Sequence, residues 1–248
     1  MRKSLNAFTL AEVLVTLVLI GVVAALTIPH AQMYVRETQY VNRLKKFYSI
    51  ANQAFRHRMA QDGVTDIAQS SIIASINGDS TAGGDQDNFT TEMMKLFRVN
   101  SFFNGGSYPG NTSYKTVQKD EDNEIWTNND YTLVLVDGTV MHMDINSYGI
   151  DGADPHDIKF SGGKLYKVYG TIEVDINGDN EPNRWGRDYY RFVLGQDGFI
   201  YPFGGKDYQI FETGSLPSVT DGEYSECLYQ TGYTCAARII EKDWSMDY

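Results

Sequence analysis

The sequence predicts an α+β fold in which one long N-terminal α-helix packs on an antiparallel β-sheet. Three observations predict it. An apolar run over residues 7–28 leads into a stripe of apolar residues at helical spacing. Later segments, above all 165–176, alternate apolar and polar side chains as half-buried strands do. Two short turn sequences, Asp137-Gly138 and Gln196-Asp197-Gly198, separate pairs of such segments and predict hairpins.

Residues 7–28, AFTLAEVLVTLVLIGVVAALTI, hold one ionisable side chain, Glu12. A helix of this length spans about 33 Å, enough for a hydrocarbon core of roughly 30 Å. The run is also longer than the roughly 7–15 apolar residues of a secretory signal peptide. A carboxylate near the centre of a bilayer costs roughly 2.5–3.5 kcal/mol to insert. A plain anchor leaves Glu12 without a role that offsets such a cost. Residues 30–60 continue the helix after Pro29. Tyr40, Leu44, Phe47, Tyr48, Ala51, Ala54 and Phe55 recur at three- and four-residue steps, while Arg36, Arg43, Lys46 and Arg58 largely avoid that stripe. This amphipathic half is expected to pack against the sheet.

Gly63 ends the pattern. Residues 64–76 and 89–99 read as short helices, with Asp87 or Asn88 as the cap of the second. The Gly- and Asn-rich stretches 77–88 and 102–115 read as loops. Sheet signals begin near Tyr131. Residues 132–136 and 139–145 form one expected hairpin, 189–194 and 199–203 a second, and 165–176 a strand between them. In that strand Val168, Ile172, Val174 and Ile176 are expected on one side, with Lys167, Thr171, Glu173 and Asp175 on the other. Four or five antiparallel strands result. AARIIEKDW (236–244) closes the chain as a short helix or strand.

Composition narrows the function classes. The 248 residues are 42% apolar and 13% aromatic, which excludes wholesale disorder. Residues 61–248 carry 13 basic and 30 acidic side chains, a net of −17, whereas residues 30–60 carry a net of +5. An acidic head is a poor match for nucleic acid, whose phosphates need clustered Lys and Arg. No Gly-x-Ser-x-Gly elbow, His-Glu-x-x-His pair or phosphate-binding Gly-x-x-x-x-Gly-Lys loop occurs. His30, His57, His142 and His156 are scattered and read as surface or strand residues. The chain is therefore not expected to be an enzyme.

The N-terminal residues KSLNA–FTLAEVLVTLVLIGVVAALTIP resemble the processing site and first helix of type IV pilins and type II secretion pseudopilins. The match comprises a short basic leader, the small residue Ala7, then Phe8, Thr9, Leu10 and Glu12. Gly21 and Pro29 fall where that family places a Gly and a helix-kinking Pro. Ala7 stands where the family usually has Gly. The resemblance implies a pilin-like fold with a leader (1–7), a transmembrane and assembly helix (8–29), its amphipathic continuation (30–60) and an extracytoplasmic head (61–248). It implies cleavage between Ala7 and Phe8 by a prepilin peptidase, methylation of the new amine, and residence in the inner membrane as a single-pass protein. Its partners would be other pilin or pseudopilin subunits and the inner-membrane assembly machinery. Glu12 would face the Phe8 amine of a neighbour, and Gly21 and Pro29 would allow local bending. The basic residues after the span oppose this orientation by the positive-inside count, but long domains translocate largely regardless of charge. The head's length suits a minor subunit. The rival reading is a membrane-anchored extracytoplasmic binding protein or adhesin that uses the 102–115 loop.

DINGDNEPNRWGRD (175–188) lies between two expected strands. Asp175, Asn177 and Asp179 alternate, with Glu181 and Asp188 beyond. Calcium takes six to eight oxygens, which such a Gly-containing loop can converge. The same residues equally suit a turn in which Asp and Asn bind nearby backbone amides. Some pseudopilins hold calcium in a loop of their sheet region, so the resemblance bears on this candidate. DINSYGIDGAD (144–154) is a second, weaker acidic loop. Cys227 and Cys235 have no His or further Cys nearby at zinc spacing. Outside the cytoplasm a disulfide between them is expected, and a C-terminal disulfide-bounded loop is common in pilins; two buried thiols are the alternative.

Overall fold

The computed structural model describes residues 9–76, 86–104, 108–110, 113–116, 122–124, 131–145, 156–159, 165–204, 209–210, 227, 232–246 and 248. The chain divides into two compact units, Met1–Gln39 and Tyr40–Tyr248. The division falls inside the first helix, α1, which runs Leu10–Asp62 and passes through Pro29.

In the first unit the apolar side chains of α1 are exposed: Leu10 is 79% accessible, Val18 65% and Leu26 72%. In the second unit the same helix becomes amphipathic. Val41, Leu44, Phe47, Ala51, Ala54, Phe55 and Met59 are buried, at three- and four-residue steps. Burying each large member contributes about 1.5–3 kcal/mol. Basic residues of this half tie it to the sheet from its flanks. Arg43 Nη1 donates to the Ile176 carbonyl at 3.1 Å, and Lys46 Nζ meets Asp137 Oδ2 at 2.6 Å. The second pair is exposed, so it contributes no more than about 1 kcal/mol. Arg58 lies between acids of two segments, with Asp62 at 3.4 Å and Glu92 at 2.6 Å.

After α1 comes a 3₁₀ turn at Ile67–Gln69, capped by Asp66, which accepts from the Ala68 N–H. Helix α2 covers Ser71–Ile76 and α3 covers Gln86–Leu96. The expected single helix over 64–76 is thus two pieces, because the Ser70 N–H closes the turn onto the Ile67 carbonyl. The expected caps Asp87 and Asn88 already lie inside α3, and their side chains fall outside the described residues.

The sheet begins earlier than the sequence suggested. Strand β1 is Val99–Asn104, followed by β2 Ser113–Lys115, β3 Asp122–Glu124, β4 Tyr131–Leu135, β5 Val140–Ile145, β6 His156–Lys159, β7 Leu165–Asp175, β8 Tyr189–Gly195, β9 Ile200–Pro202 and β10 Gln209–Ile210. All named pairings are antiparallel. Among the described residues the main sheet has eight strands: β1-β4-β5-β7-β6-β10 in order, with β8 on β7 and β9 on β8. β2 and β3 form a separate pair. β7 is the hub: β6 and β5 pair with its successive halves and β8 with its other edge.

One face of this sheet meets α1. Leu133, Met141, Met143, Ile145, Ile172, Val174, Ile176, Tyr190, Phe192 and Leu194 share a core with the helix, at the period of two that strands require. The expected faces of β7 hold only from Thr171 onward. The pairing of β7 with β8 shifts between Val168 and Thr171, a bulge around Gly170. A Cβ on Gly170 would land on the Asp144 carbonyl oxygen, so the close strand approach needs glycine there. The bulge turns Tyr169 into the helix-side core and sends Val168 to the far face, beside Val193 and Phe203. That far face is covered too. Glu173 and Asp175, expected on the side opposite Ile172 and Val174, are 6% and 0% exposed.

The chain ends in helix α4, Cys235–Glu241. Cys227 and Cys235 are joined by a disulfide.

Candidate functional site

Two regions carry chemistry. The first is the start of α1. Thr9 precedes the first helical residue, and its hydroxyl accepts from the Glu12 N–H at 3.3 Å. Glu12 Oε2 in turn accepts from the Thr9 N–H and the Thr9 hydroxyl, both at 2.8 Å. This is a capping box, in which a Thr and a Glu three residues on satisfy each other's backbone donors. Further along, the hydroxyls of Thr16 and Thr27 donate to the carbonyls of Val13 and Val23. Each polar side chain among the described residues of the run therefore has an internal partner, as a lipid environment demands. Gly21 has open space around it. Helix α1 is long and apolar enough at its N-terminal end to cross a membrane. Ala7 and Phe8, the expected processing residues, lie outside the described residues.

The second region is the connection between β7 and β8, residues 176–188. Its ends are held together by strand pairing: the Ile176 N–H donates to the Asp188 carbonyl at 2.9 Å. Gly178 has φ +67, and a Cβ there would come within 2.7 Å of the Gly138 carbonyl oxygen. The loop thus packs on the β4–β5 turn, and only glycine suits that corner. From the other side β2 zips onto the loop, with Lys115 N–H on the Asn183 carbonyl and Trp185 N–H on the Lys115 carbonyl, each at 2.9 Å.

This framing brings Asp175, Asn177 and Asp188 together and leaves two expected ligands out. Asp175 Oδ1 accepts from the Asn177 N–H at 3.0 Å, and Oδ2 from the Tyr114 hydroxyl at 2.8 Å. Asp188 Oδ2 accepts from the Asn183 N–H at 2.8 Å and Oδ1 from the Arg184 N–H at 2.7 Å. Both carboxylates are fully buried. Burial, with the nearby Asp188 charge second, pushes the Asp175 carboxyl up to about 8. Burial pushes Asp188 up to about 6, against the pull of its backbone donors. Asp179 instead accepts from the Tyr108 hydroxyl at 3.1 Å and is exposed, as is Glu181. Among the described residues no three His, Cys, Asp or Glu side chains converge as metal ligands. Most of the 144–154 loop lies outside the described residues.

Sequence reasoning missed Tyr114, because it lies in a stretch read as loop and meets Asp175 across 61 positions of chain. The far face also gathers aromatic and charged groups. Tyr114 stacks on Tyr189 with ring centroids 3.7 Å apart. Tyr189 donates to Glu173 at 2.6 Å, and Glu173 forms an ion pair with Arg191. The Arg191 guanidinium lies over Tyr233 at 4.3 Å and over Trp185 at 5.1 Å. His142, whose Nδ1 is 2.8 Å from the Thr132 hydroxyl, is a buried strand residue. Burial pushes its pKa down to about 4. In the 102–115 segment, Phe102 packs on Phe89 and Tyr131, and Tyr114 is interior.

A helix of membrane-spanning length that continues into the core of an antiparallel sheet defines a pilin-like α+β arrangement. Residues 2–28 match the family described as "Prokaryotic N-terminal methylation motif", the prepilin-type cleavage and methylation segment of type IV pilins and pseudopilins. The match contains Ala7, Phe8, Glu12 and Gly21, and Pro29 follows it directly. No curated protein and no solved structure matches the chain.

Proposed function

We propose that this chain is a structural, non-catalytic subunit of a type IV pilus or type II secretion pseudopilus, and a minor one. In this reading a prepilin peptidase cuts between Ala7 and Phe8 and the new amine is methylated. The mature chain then waits in the inner membrane with its head outside the cytoplasm, and the assembly machinery stacks it with other pilin or pseudopilin subunits through α1. The observation that carries the reading is the methylation motif at 2–28, in register with a helix whose only acid before Pro29 is Glu12.

The chemistry of assembly follows from that acid. In the single chain, Glu12 is satisfied by Thr9. In a fibre, the charged Phe8 amine of a neighbour is a stronger partner. Two unit charges about 4 Å apart attract by roughly 4 kcal/mol at an effective dielectric near 20. Desolvation offsets much of this, so the pair sets register between subunits more than it adds stability.

N-terminal mass spectrometry of the protein from its native membrane tests the reading. A mature chain that starts at N-methylated Phe8 is expected. A start near Gln32 would release a soluble secreted protein and overturn the proposal.

A further inference from the structure

After α4 the chain turns back on itself. The Trp244 N–H donates to the Ile239 carbonyl at 2.8 Å, the six-to-one bond with which many helices close their C-terminal end. Asp243 stands where such a closure ordinarily has glycine, at φ +54, and Trp244 follows at φ +61. Two successive non-glycine residues in the left-handed region persist only where their surroundings hold them there. What holds them is the segment they launch. Residues 243–246 and 248 form a strap in which Trp244, Met246 and Tyr248 pack against the main core, while Asp243 and Ser245 are exposed.

The strap is anchored at both ends. At its near end the Trp244 ring packs on Tyr48 of α1 with centroids 5.7 Å apart, and Lys45 Nζ lies 5.5 Å from the indole. At its far end it grips the tip of the β7–β8 connection through Gly186 and Arg187. Arg187 Nη2 donates to the Tyr248 carbonyl at 2.7 Å and Nη1 to the Met246 sulfur at 3.2 Å. The Tyr248 hydroxyl donates to the Gly186 carbonyl. The guanidinium groups of Arg187 and, from α4, Arg238 lie over the Tyr248 ring at 5.3 and 5.9 Å. The tip beneath is made of tight turns, with the Gly186 N–H on the Tyr189 carbonyl and the Arg187 N–H on the Arg184 carbonyl. It carries Trp185 and Asp188, both fully buried.

We infer that this strap is a latch on the β7–β8 connection: closed, it bolts the tip to α1 and α4, and released, it lets residues 183–188 open to water while the sheet stays folded. Its grip is concentrated on one side chain, Arg187, so that losing Tyr248 loosens several contacts together. Its hinge is loaded, because the left-handed pair relaxes once the contacts that hold it are gone. Closed and open are therefore two states and not a gradual fraying, the kind of sub-global opening by which a folded domain exposes one loop. The latch goes beyond the subunit reading and stands whether or not the chain assembles into a fibre.

Hydrogen exchange of the full chain in detergent, read by mass spectrometry, tests it. The amides of 183–188 and of the strap are expected to exchange at one common rate, about tenfold or more faster than those of β5 and β7. Tyr248→Ala should speed exchange over 183–188 by about tenfold or more and leave β5 and β7 within about twofold. Asp243→Gly should act in the opposite direction and slow exchange over 183–188 by about threefold or more, since glycine takes the left-handed region without strain. A tail that merely adds packing would not carry the effect of that glycine to the connection. The latch is overturned if 183–188 keeps its parent rate in Tyr248→Ala, if β5 and β7 lose protection equally, or if Asp243→Gly leaves the rate over 183–188 unchanged. If Tyr248→Ala does not fold, the Asp243→Gly comparison alone decides.

Discussion

Glu12 answers to two partners, and the two can be separated by one atom. The capping box needs an acceptor at this position, and glutamine serves there as well as glutamate. The pairing with a neighbour's amine needs the negative charge. Glu12→Gln should therefore leave the start of α1 and the melting temperature of the head unchanged. Incorporation into fibres, measured as the sheared surface fraction against the membrane pool, should fall by about tenfold or more. Normal incorporation of the glutamine variant would remove the charge from the assembly mechanism. The same distinction between shape and charge applies at Asp175 and Asp188. As turn formers they need only accept N–H bonds, and Asn would do almost as well. That both are carboxylates, interred next to each other, is the feature the turn reading leaves unexplained.

At the scale of elements, the bulge at Gly170 decides which side chains meet α1. Gly170→Val places a methyl-bearing carbon on the Asp144 carbonyl oxygen and forces β5 and β7 apart. The expected cost is about 1–3 kcal/mol, read as a lower urea midpoint with an unchanged slope. A midpoint within error of the parent would mean that the bulge relaxes without strain. The two hairpins and the helix were legible in the sequence because their signals are local. Alternation, turn residues and a three-to-four step sit within a few positions of one another. The bulge was not legible, since a period of two read through Val168 and Ile172 assigns them one face, and only cross-strand register separates them. β1 was missed for a related reason. Its pairing with β4 gives VNSFFN its regular structure, and Asn and Gly around it look like loop. Of the five residues the spacing singled out in the β7–β8 connection, the fold buries Asp175, Asn177 and Asp188 and leaves Asp179 and Glu181 exposed.

For the whole molecule, the lopsided charge becomes intelligible as tethering. Arg43, Lys46 and Arg58, three of the six basic residues that follow the span, meet a carbonyl and acids within the second unit. The disulfide adds a covalent tie at the other end of the chain. Closing a loop whose cysteines are eight positions apart is worth roughly 2–3 kcal/mol in the entropic account. Reduction should lower the head's melting temperature by about 5–10 °C, given 2–4 °C per kcal/mol at this size. Calorimetry with and without reductant checks this, and no shift would mean the loop is already rigid without its bond. Trp185 offers a different kind of handle. Its indole is wholly shielded from water, edge-on to Tyr189 and Tyr233, inside the same connection that holds Asp175 and Asp188. A shielded indole emits at shorter wavelength than a wet one, so in a variant with Trp126 and Trp244 replaced by Phe the colour of the fluorescence reports whether that one corner is shut. Opening there becomes visible in a cuvette as a shift to longer wavelength.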